Sequence, residues 1–490
     1  MTFQTNFPLE PTKLPYITVS AKGMSNGLSD IPNDGMDFGP DTMLGATSKD
    51  QYGPPYTQTS GIQEAINYVF NQGGGEIVLG EGVYELDANY VIQQTNNNGN
   101  VINVPLNSPD NPIITISLRG SVPPMNDFQK GYNATPAITP TNMKKGSIIY
   151  NPTYTSSPGN GAIFGATSSG TDLNNNINIF LTDLTFTTIQ PNETNYLPTM
   201  INLSNFAGFY LRNVVINVNT PTGALNNPSN SGSTGIGCNQ LASNNGLAVI
   251  DNVYVVNYAN GMSFGAVEHL NIKKVFIQYC SVGLALGNVS VYPPNIEYAD
   301  LEQNTYPVLL NGTFWLFNAK FTIQNSGAYS STNWSNAQAI FTSWYQGGPV
   351  FGEIEVNFNN TNSYNPPLVQ AVGGSLSYLY GLVIHEIGLF GPAYPIGSNG
   401  TTTAGTTAGS VIQQFVEYKK LHKKLMIQFS GYENDTTTDQ TISFPLPFSS
   451  YTLISGNNTG LTISATTSGI TITAPNSTTT YSGIVIVEGY

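Results

Sequence analysis

Charge is scarce in this sequence. Asp, Glu, Lys and Arg make up only 9% of its 490 residues, against roughly 25% in ordinary soluble domains. Cations are the rarer kind: 15 Lys and Arg stand against 29 Asp and Glu, for a formal net charge of −14. Binding nucleic acid needs concentrated Lys and Arg. Here the main basic cluster, Lys419, Lys420, Lys423 and Lys424, is confined to one short segment, which argues against a nucleic-acid partner. The Lys- and Glu-rich composition of cytosolic hyperthermophile proteins is absent as well.

Cysteine is nearly missing. With only Cys238 and Cys280, disulfides are not the main staple of the fold, and two buried thiols on neighbouring turns are expected rather than a bridge. No run of 18 apolar residues occurs, so no membrane insertion is expected. The opening residues, MTFQTNFPLEPTKLPY, lack a charged start followed by an apolar run, so no Sec-type signal peptide is expected. His269, His385 and His422 stand apart in metal-incompatible spacing; neither a metal nor a cofactor is expected.

Neutral polar residues fill the gap. Asn, Thr, Ser, Gly and Tyr abound, while apolar residues still make up 40% of the chain. A surface of hydroxyls and amides does not depend on ionisation and tolerates acid that neutralises carboxylates. An acidic, extracellular setting is the expectation. Sequons at Asn133, Asn192, Asn202, Asn311 and Asn333 read either as glycosylation acceptors or as chance matches in an Asn- and Thr-rich chain.

Four regions are expected. Residues 1–55, rich in Pro, Gly and Asp, read as an extended arm. Residues 56–395 form the main body, opening with a helix over 60–70 in which Ser60 and Gln63 make a capping box and Ile62, Ala65, Ile66 and Val69 an apolar stripe. GGGEIVLGEGVYEL follows at 73–86 as two short strands about a Gly-Glu-Gly turn. Residues 396–426 combine a low-complexity linker with a short helix, where Val411, Phe415, Tyr418, His422 and Leu425 repeat in 4-3 steps. Residues 427–490 alternate cleanly and predict a small antiparallel β-sandwich.

Within the main body one pattern returns: LTDLTF from 181, LRNVVI from 211, IDNVYV from 250, IKKVFI from 272, LFNAKF from 316 and FGEIEV from 351. The spacings are 30, 39, 22, 44 and 35 residues. A shared core pattern with variable insertions describes a coil whose loops differ in length. The shortest spacing fits one turn of a three-sided parallel β-helix, and 44 leaves room for a turn whose motif has drifted. LGNVSV at 286–291 fits the letters but lies too close, so another side of the coil is expected for it. The Asn or Asp of the motif suits a sharp bend, because these residues reach positive φ more cheaply than other non-Gly residues. Asp183, Asn213, Asn252 and Asn318 therefore read as a turn ladder, with Lys274 and Glu353 in the same place.

The order helix, Gly-rich turn and repeated L-x-N-V-x-I resembles the pectate-lyase-like superfamily. There, a stretch of the type DFGA…T-x-A-I-x-A-I…GGG-x-V-x-L-P-x-G-x-Y caps a right-handed parallel β-helix. Here Asp37, Phe38, Gly39, Ile62, Ala65, Ile66, Gly73–Gly75, Gly80, Gly82 and Tyr84 match, and Glu81 departs. The C-terminal segment, with GLTISAT, GITITAP and YSGIVIVEGY, looks like the small β-domains that end viral tail fibres and tailspikes. The resemblance implies an all-β chain, a right-handed parallel β-helix with a small C-terminal antiparallel β-sandwich. It further implies a virion or extracellular spike, typically a homotrimer, binding cell-surface polysaccharide or glycoprotein glycan, with the N-terminal arm meeting other virion proteins. An exterior-type chain without an export signal suits that role.

The alternatives are a glycoside hydrolase on the same coil and a cellular surface adhesin. Of the superfamily's chemistries, the polygalacturonase signatures are absent. A calcium-dependent pectate lyase is disfavoured by arginine, which occurs only as Arg119 and Arg212. A hydrolase needs two placed carboxyls. Turns stack about 4.8 Å apart, and retaining pairs sit about 5–5.5 Å apart against about 6.5–9.5 Å for inverting ones. The candidates are Asp251 with Glu268, Asp300 with Glu302, and Glu353 with Glu355. Each has a plainer reading: Asp251 in an ion-pair stack between Arg212 and Lys273, Asp300 and Glu302 solvated in a polar loop, and Glu353 or Glu355 occupying a turn.

The fifth motif position, Thr185, Val215, Tyr254, Phe276, Lys320 and Glu355, is expected to face outward. Its apolar members would make an exposed stripe, read as a trimer contact, a floor under an inserted loop or a platform for sugar rings. Tyr254 and Phe276 are therefore candidate glycan-binding residues, with Trp334, Trp344 and Tyr345 of the aromatic loop at 329–346.

Overall fold

The computed structural model describes residues 16–21, 36–97, 99–121, 146–151, 161–166, 175–189, 199–219, 234–241, 246–287, 294–304, 306–310, 314–324, 341–343, 350–359, 369–371, 381–390, 413–419, 422–432, 440–443, 451–456, 462–467, 469–473 and 481–489. Two units divide the chain: Met1–Ala224 with Leu241–Leu247, and Leu225–Gln240 with Ala248–Tyr490.

In the first unit, strands Tyr16–Val19, Gly75–Leu79, Ile114–Arg119, Asn175–Ile189 and Phe206–Asn219 lie side by side in that order, all parallel. A second parallel sheet holds Ile102–Val104, Ala162–Ala166 and Thr199–Asn202. Parallel neighbours cannot be joined by tight hairpins, so the chain visits the other sheet before returning. That alternation is the coil expected from the irregularly spaced motif.

Helix α1, Ile62–Asn71, buries Ile62, Ala65, Ile66 and Val69 as its stripe predicts. Its cap differs from the expected box. The Ser60 hydroxyl instead donates to the Glu85 carbonyl at 2.7 Å, and Thr59 Oγ1 accepts the Gln63 N–H at 3.1 Å. The Gln63 amide in turn pairs both ways with the backbone of Asn103, at 2.7 and 2.6 Å. A second helix, α2, spans Ala88–Asn96, with Asp87 accepting the Tyr90 N–H at 2.8 Å.

The described part of the expected arm is built into the coil. Tyr16–Val19 pairs with Gly75–Leu79, and Phe38 bridges to Val19 with no exposed surface. Asp37 fixes this junction: one carboxylate oxygen accepts the Thr18 N–H at 2.9 Å, while the other meets Lys49 Nζ at 2.9 Å. The reason is burial, since Ile17, Val19 and Phe38 are core residues that an unattached arm would leave in water.

In the second unit, Ala248–Val256, Leu270–Gln278, Asn295–Glu302, Phe314–Gln324, Val350–Asn359 and Gly381–Phe390 form one parallel sheet. Thr234–Gln240, Asn260–Ala266, Val282–Leu286, Tyr306–Leu310, Phe341–Ser343 and Val369–Ala371 form the other. Leu286 ends a strand of this second sheet, so LGNVSV does begin on another side of the coil. Strand Asn295–Glu302 is the drifted turn hidden in the 44-residue gap: Ile296, Ala299 and Leu301 fill the core places in register with Ile272, Val275 and Ile277.

Bends fall where the motif puts them in three cases. Asp183, Asn213 and Asn252 have φ of 58, 53 and 55°. Asn318 does not bend; it sits in extended strand register with Asn295 and Glu353. A second corner follows strands Ala248–Val256, Leu270–Gln278 and Asn295–Glu302: Asn257, Tyr279 and Gln303 have φ of 62, 55 and 53°. Their N–H groups donate to Gln278, Glu302 and Gln324 carbonyls on the next turn at 3.2, 3.1 and 2.9 Å.

Past that corner the turns approach one another closely. A Cβ on Gly235 would lie 2.7 Å from the Gly261 carbonyl oxygen, one on Gly261 2.7 Å from that of Gly283, and one on Gly283 2.6 Å from that of Pro307. Glycine at the same strand position on three turns leaves room for the next turn's backbone. Cys280, beside this column, and Cys238 are both buried and not disulfide-bonded; burial pushes the Cys280 thiol up to about 12.

At the C-terminal end, Gln413–Lys419, His422–Tyr432, Tyr481–Gly489 and Tyr451–Gly456 form an antiparallel sheet, and Gln440–Ser443, Gly469–Thr473 and Thr462–Ala465 another. These are the strands of the expected small sandwich, and the fold class is a right-handed parallel β-helix followed by antiparallel β-structure. The helix expected within 396–426 is instead strand: Gln413–Lys419 pairs with His422–Tyr432, which pairs on its other side with Tyr481–Gly489. Two heptads of helical period are outweighed by a central strand bonded on both edges. Residues 396–412 lie outside the described residues.

Candidate functional site

Register and alternation assemble one polar-aromatic patch on the second unit. Along Asn295–Glu302 the core takes Ile296, Ala299 and Leu301, which turns Asp300 and Glu302 outward together. On the neighbouring strands the same alternation turns out Phe276 with Gln278, and Thr322 with Gln324. Two columns result. Tyr254, Phe276, Asp300 and Thr322 run across four turns, and Val256, Gln278, Glu302 and Gln324 run beside them.

The first column begins as a ladder of rings. Tyr254 and Phe276 lie 6.2 Å apart between centroids, and Phe276 and Tyr298 6.3 Å, both within the range of favourable tilted and edge contacts. Lys274 Nζ lies 4.9 Å from the Phe276 centroid, a cation–π distance. In the second column the Tyr254 hydroxyl donates to Gln278 Oε1 at 2.6 Å, and Gln278 Nε2 donates to Glu302 Oε2 at 2.5 Å. From the turn above, Gln324 Nε2 donates to Asp300 Oδ1 at 3.3 Å.

Both carboxyls are half-buried, and burial raises both pKa values. They differ in what opposes or adds to it. Hydrogen bonds from Gln324 and Tyr298 and the charge of Lys274 favour ionised Asp300, whereas the charge of Asp300 raises Glu302 further. Tyr254 is pushed far above the usual phenol range, first by burial and then by the charges of Glu302 and Asp300.

The other expected residues fall elsewhere. Asp251 sits at the Asn252 bend and faces Lys273 Nζ at 3.8 Å, the ion pair of its plainer reading. Its register partner is Lys274, whereas Glu268 lies in the turn before strand Leu270–Gln278. Glu355 pairs with Lys320 at 3.4 Å, and Glu353 lies opposite Asn318 in register. Trp334, Trp344 and Tyr345 lie outside the described residues, as do the sequons at Asn133, Asn192, Asn311 and Asn333.

Two expectations about surface need correction. Asp300 and Glu302 belong to a strand rather than a polar loop, because Ala299 and Leu301 anchor it. The outward stripe is not an exposed apolar face: Val215 and Tyr254 are buried, and only Phe276 is half-exposed. Tyr254 packs its ring on Phe276 and gives its hydroxyl to Gln278, so side chains of adjacent turns cover one another. Gln278, Gln324 and Tyr298 are site residues that the sequence pattern did not single out, and Lys274 entered it only as a turn position.

No group of three or more His, Cys, Asp or Glu that could hold a metal occurs among the described residues. No helix among them is long and apolar enough to cross a membrane.

No protein-family model matches the chain, and no curated protein matches it in sequence. Among solved structures it is similar to the A-module of mannuronan C-5 epimerase AlgE4 from Azotobacter vinelandii, with 13% identity and a TM-score of 0.32, covering 70% of this chain and 95% of that one. It is also similar to the tailspike gp61 of Pseudomonas phage phi297, with 8% identity and a TM-score of 0.17, covering 88% and 92% respectively. The architecture is a parallel β-helix.

Proposed function

We infer that this protein is a virion-type spike that binds a cell-surface polysaccharide along the outer face of its β-helix. One observation carries the reading: the half-exposed rings of Phe276 and Tyr298 adjoin outward Gln278, Thr322, Gln324, Asp300 and Glu302. Aromatic faces pack against the apolar faces of sugar rings, while amides, hydroxyls and carboxyls bond their hydroxyls. Stacking at one strand spacing suits an extended chain of repeating units. A coil followed by antiparallel β-structure, with a neutral hydrogen-bonding surface, supports the spike role, and a homotrimer is its expected assembly.

The test is calorimetric titration of the full chain with purified neutral polysaccharides (galactan, mannan, rhamnan) and acidic ones (alginate, polygalacturonate, hyaluronan). At least one should bind, and Phe276→Ala and Tyr298→Ala should each weaken it about tenfold, the loss of one aromatic contact. Unchanged affinity in both variants, with wild-type melting, would sink the assignment of this face. Sedimentation equilibrium checks the trimer; a monomer counts against it.

A further inference from the structure

We propose that the turn around Asp41 is an acid-closed latch: in acid it holds segment 36–57 on the edge of the first strand, and it releases that segment as the pH rises. Nothing in it depends on the glycan-binding reading. Segment 36–57 closes an edge that strand Tyr16–Val19 would otherwise leave open to pairing. The N–H groups of Asp37 and Phe38 donate to the Thr18 carbonyl, each at 3.1 Å, and the Ser20 N–H donates to the Phe38 carbonyl at 2.9 Å. Thr42 then bridges to Tyr52 and Met43 to Tyr56, folding the segment back on itself. Asp41 lies inside this fold at 3% exposure, and neither carboxyl oxygen has a hydrogen-bond partner on another described residue. The nearby donors are committed elsewhere. The Thr42 N–H goes to the Gly39 carbonyl at 3.0 Å, the Gly39 N–H to Thr42 Oγ1 at 2.9 Å, and the Met43 N–H to the Gln51 carbonyl at 2.9 Å. The Gly53 N–H takes the carbonyl of Asp41 itself at 3.1 Å. Two other carboxyls of this region are partnered. Asp37 accepts from Thr18 and meets Lys49, and Glu64 accepts the Thr57 hydroxyl at 2.6 Å and the Gly45 N–H at 3.3 Å.

A carboxyl so placed is buried more cheaply with its proton than without it. The charged and titratable groups packed around the turn are Asp37, Lys49, Asp50, Tyr52 and Tyr56 of the segment itself, Glu64 and Tyr68 of α1, and Tyr16 of the first strand. The cation among them, Lys49, is held by Asp37 at 2.9 Å and lies 5.7 Å from the Tyr68 ring centroid. None of these groups moves Asp41: burial raises its pKa, and only its own backbone N–H opposes that. The folded value therefore lies above the unfolded one, about 4. The stability that protonated Asp41 gives the closed segment is fully present below that pH and is lost as pH rises through the raised folded value. Opening lets water reach the carboxylate, the proton passes to solvent, and the edge of Tyr16–Val19 is uncovered.

The experiment is hydrogen exchange of the full-length protein at pH 4 and pH 7, read by mass spectrometry and corrected for intrinsic exchange rates. Protection of peptides within 36–57 should fall about fivefold or more at pH 7, the low end of what an unpartnered buried polar group costs. Peptides of strand Phe206–Asn219 should change less. Asp41→Asn and Asp41→Ala should each hold protection of 36–57 within about twofold between the two pH values, the level set by removing the titrating group. The second variant gives the same reading if the amide of the first disturbs the turn. Asp50→Asn, at an exposed carboxyl of the same segment, should keep the wild-type fall. Flat protection in the wild type overturns the latch, as does a fall that persists in both Asp41 variants or disappears in Asp50→Asn. Protection that instead follows added calcium at constant pH would assign the carboxyl to a bound cation and overturn the proton.

Discussion

Asn213 donates from its side-chain amide to the Asp183 carboxylate one turn away at 2.7 Å, and both residues hold left-handed backbone, with φ of 53 and 58°. One residue type thus performs two tasks. It bends its own strand, and it ties that bend to the preceding one.

Separating the tasks gives the first prediction. Asn213→Gly keeps the bend and loses the bond, so it should cost about 0.5–1.5 kcal/mol, offset in part by the ease of positive φ. Asn213→Ala loses both and should cost a further 1–2 kcal/mol or so. Denaturant unfolding of the two variants measures the difference. Equal stabilities would mean that the bend is not set by this residue.

The glycine column gives the second. Gly261→Ala would place a methyl 2.5 Å from Ile277 Cγ2 and 2.7 Å from the Gly283 carbonyl oxygen. One neighbour is backbone, so the turns must separate, and a loss of about 1–3 kcal/mol is expected. Gly45 is the control: its φ is positive, but nothing lies within 4 Å of an added Cβ, so only the backbone term applies. A loss well below about 1 kcal/mol for Gly261→Ala in denaturant unfolding would contradict the close approach.

Core pattern and turn chemistry made the coil legible. Leu211, Val214 and Ile216 are fully buried, and the bends at Asp183, Asn213 and Asn252 use residues whose identity advertises them. The corners at Tyr279 and Gln303 were silent, because nothing about those residue types favours positive φ; the next turn's carbonyls hold them there. Strand Asn295–Glu302 escaped notice because IEYADL has lost the Asn, and its register with Phe314–Gln324 shifts between Ile296 and Ala299. That is the strand carrying the candidate site. Its two acids could be seen, but Gln278 and Gln324 enter only through stacking register, which irregular loop lengths conceal. The segment over 411–425 shows the converse failure, a helical period overruled by partners far along the chain.

The pH dependence of the site is the third prediction. Burial raises Asp300 and Glu302, so the folded state favours their neutral forms. Their contribution to stability is fully present below the unfolded carboxyl range, about 4, and is lost as pH rises through the raised folded values. A combined Asp300→Asn, Glu302→Gln variant should therefore melt with wild type near pH 3.5 and above it near pH 7. Parallel curves would show that these carboxyls are not strained by their setting.

Gln278 couples that titration to the ring ladder. Its amide nitrogen donates to Glu302, and its oxygen accepts the Tyr254 hydroxyl. Gln278→Ala removes a donor that favours ionised Glu302, so the pH at which the stability difference develops should move upward. It also strips a buried hydroxyl of this acceptor, at a cost of about 1–3 kcal/mol. Adding Tyr254→Phe removes the stranded hydroxyl and should recover part of that loss while leaving the shifted pH profile in place. Denaturant unfolding of both single variants and the double, across pH 3.5–7, separates the two effects. If the double variant is destabilised by the sum of the singles, the bond between Tyr254 and Gln278 contributes nothing, and the column is a set of independent side chains.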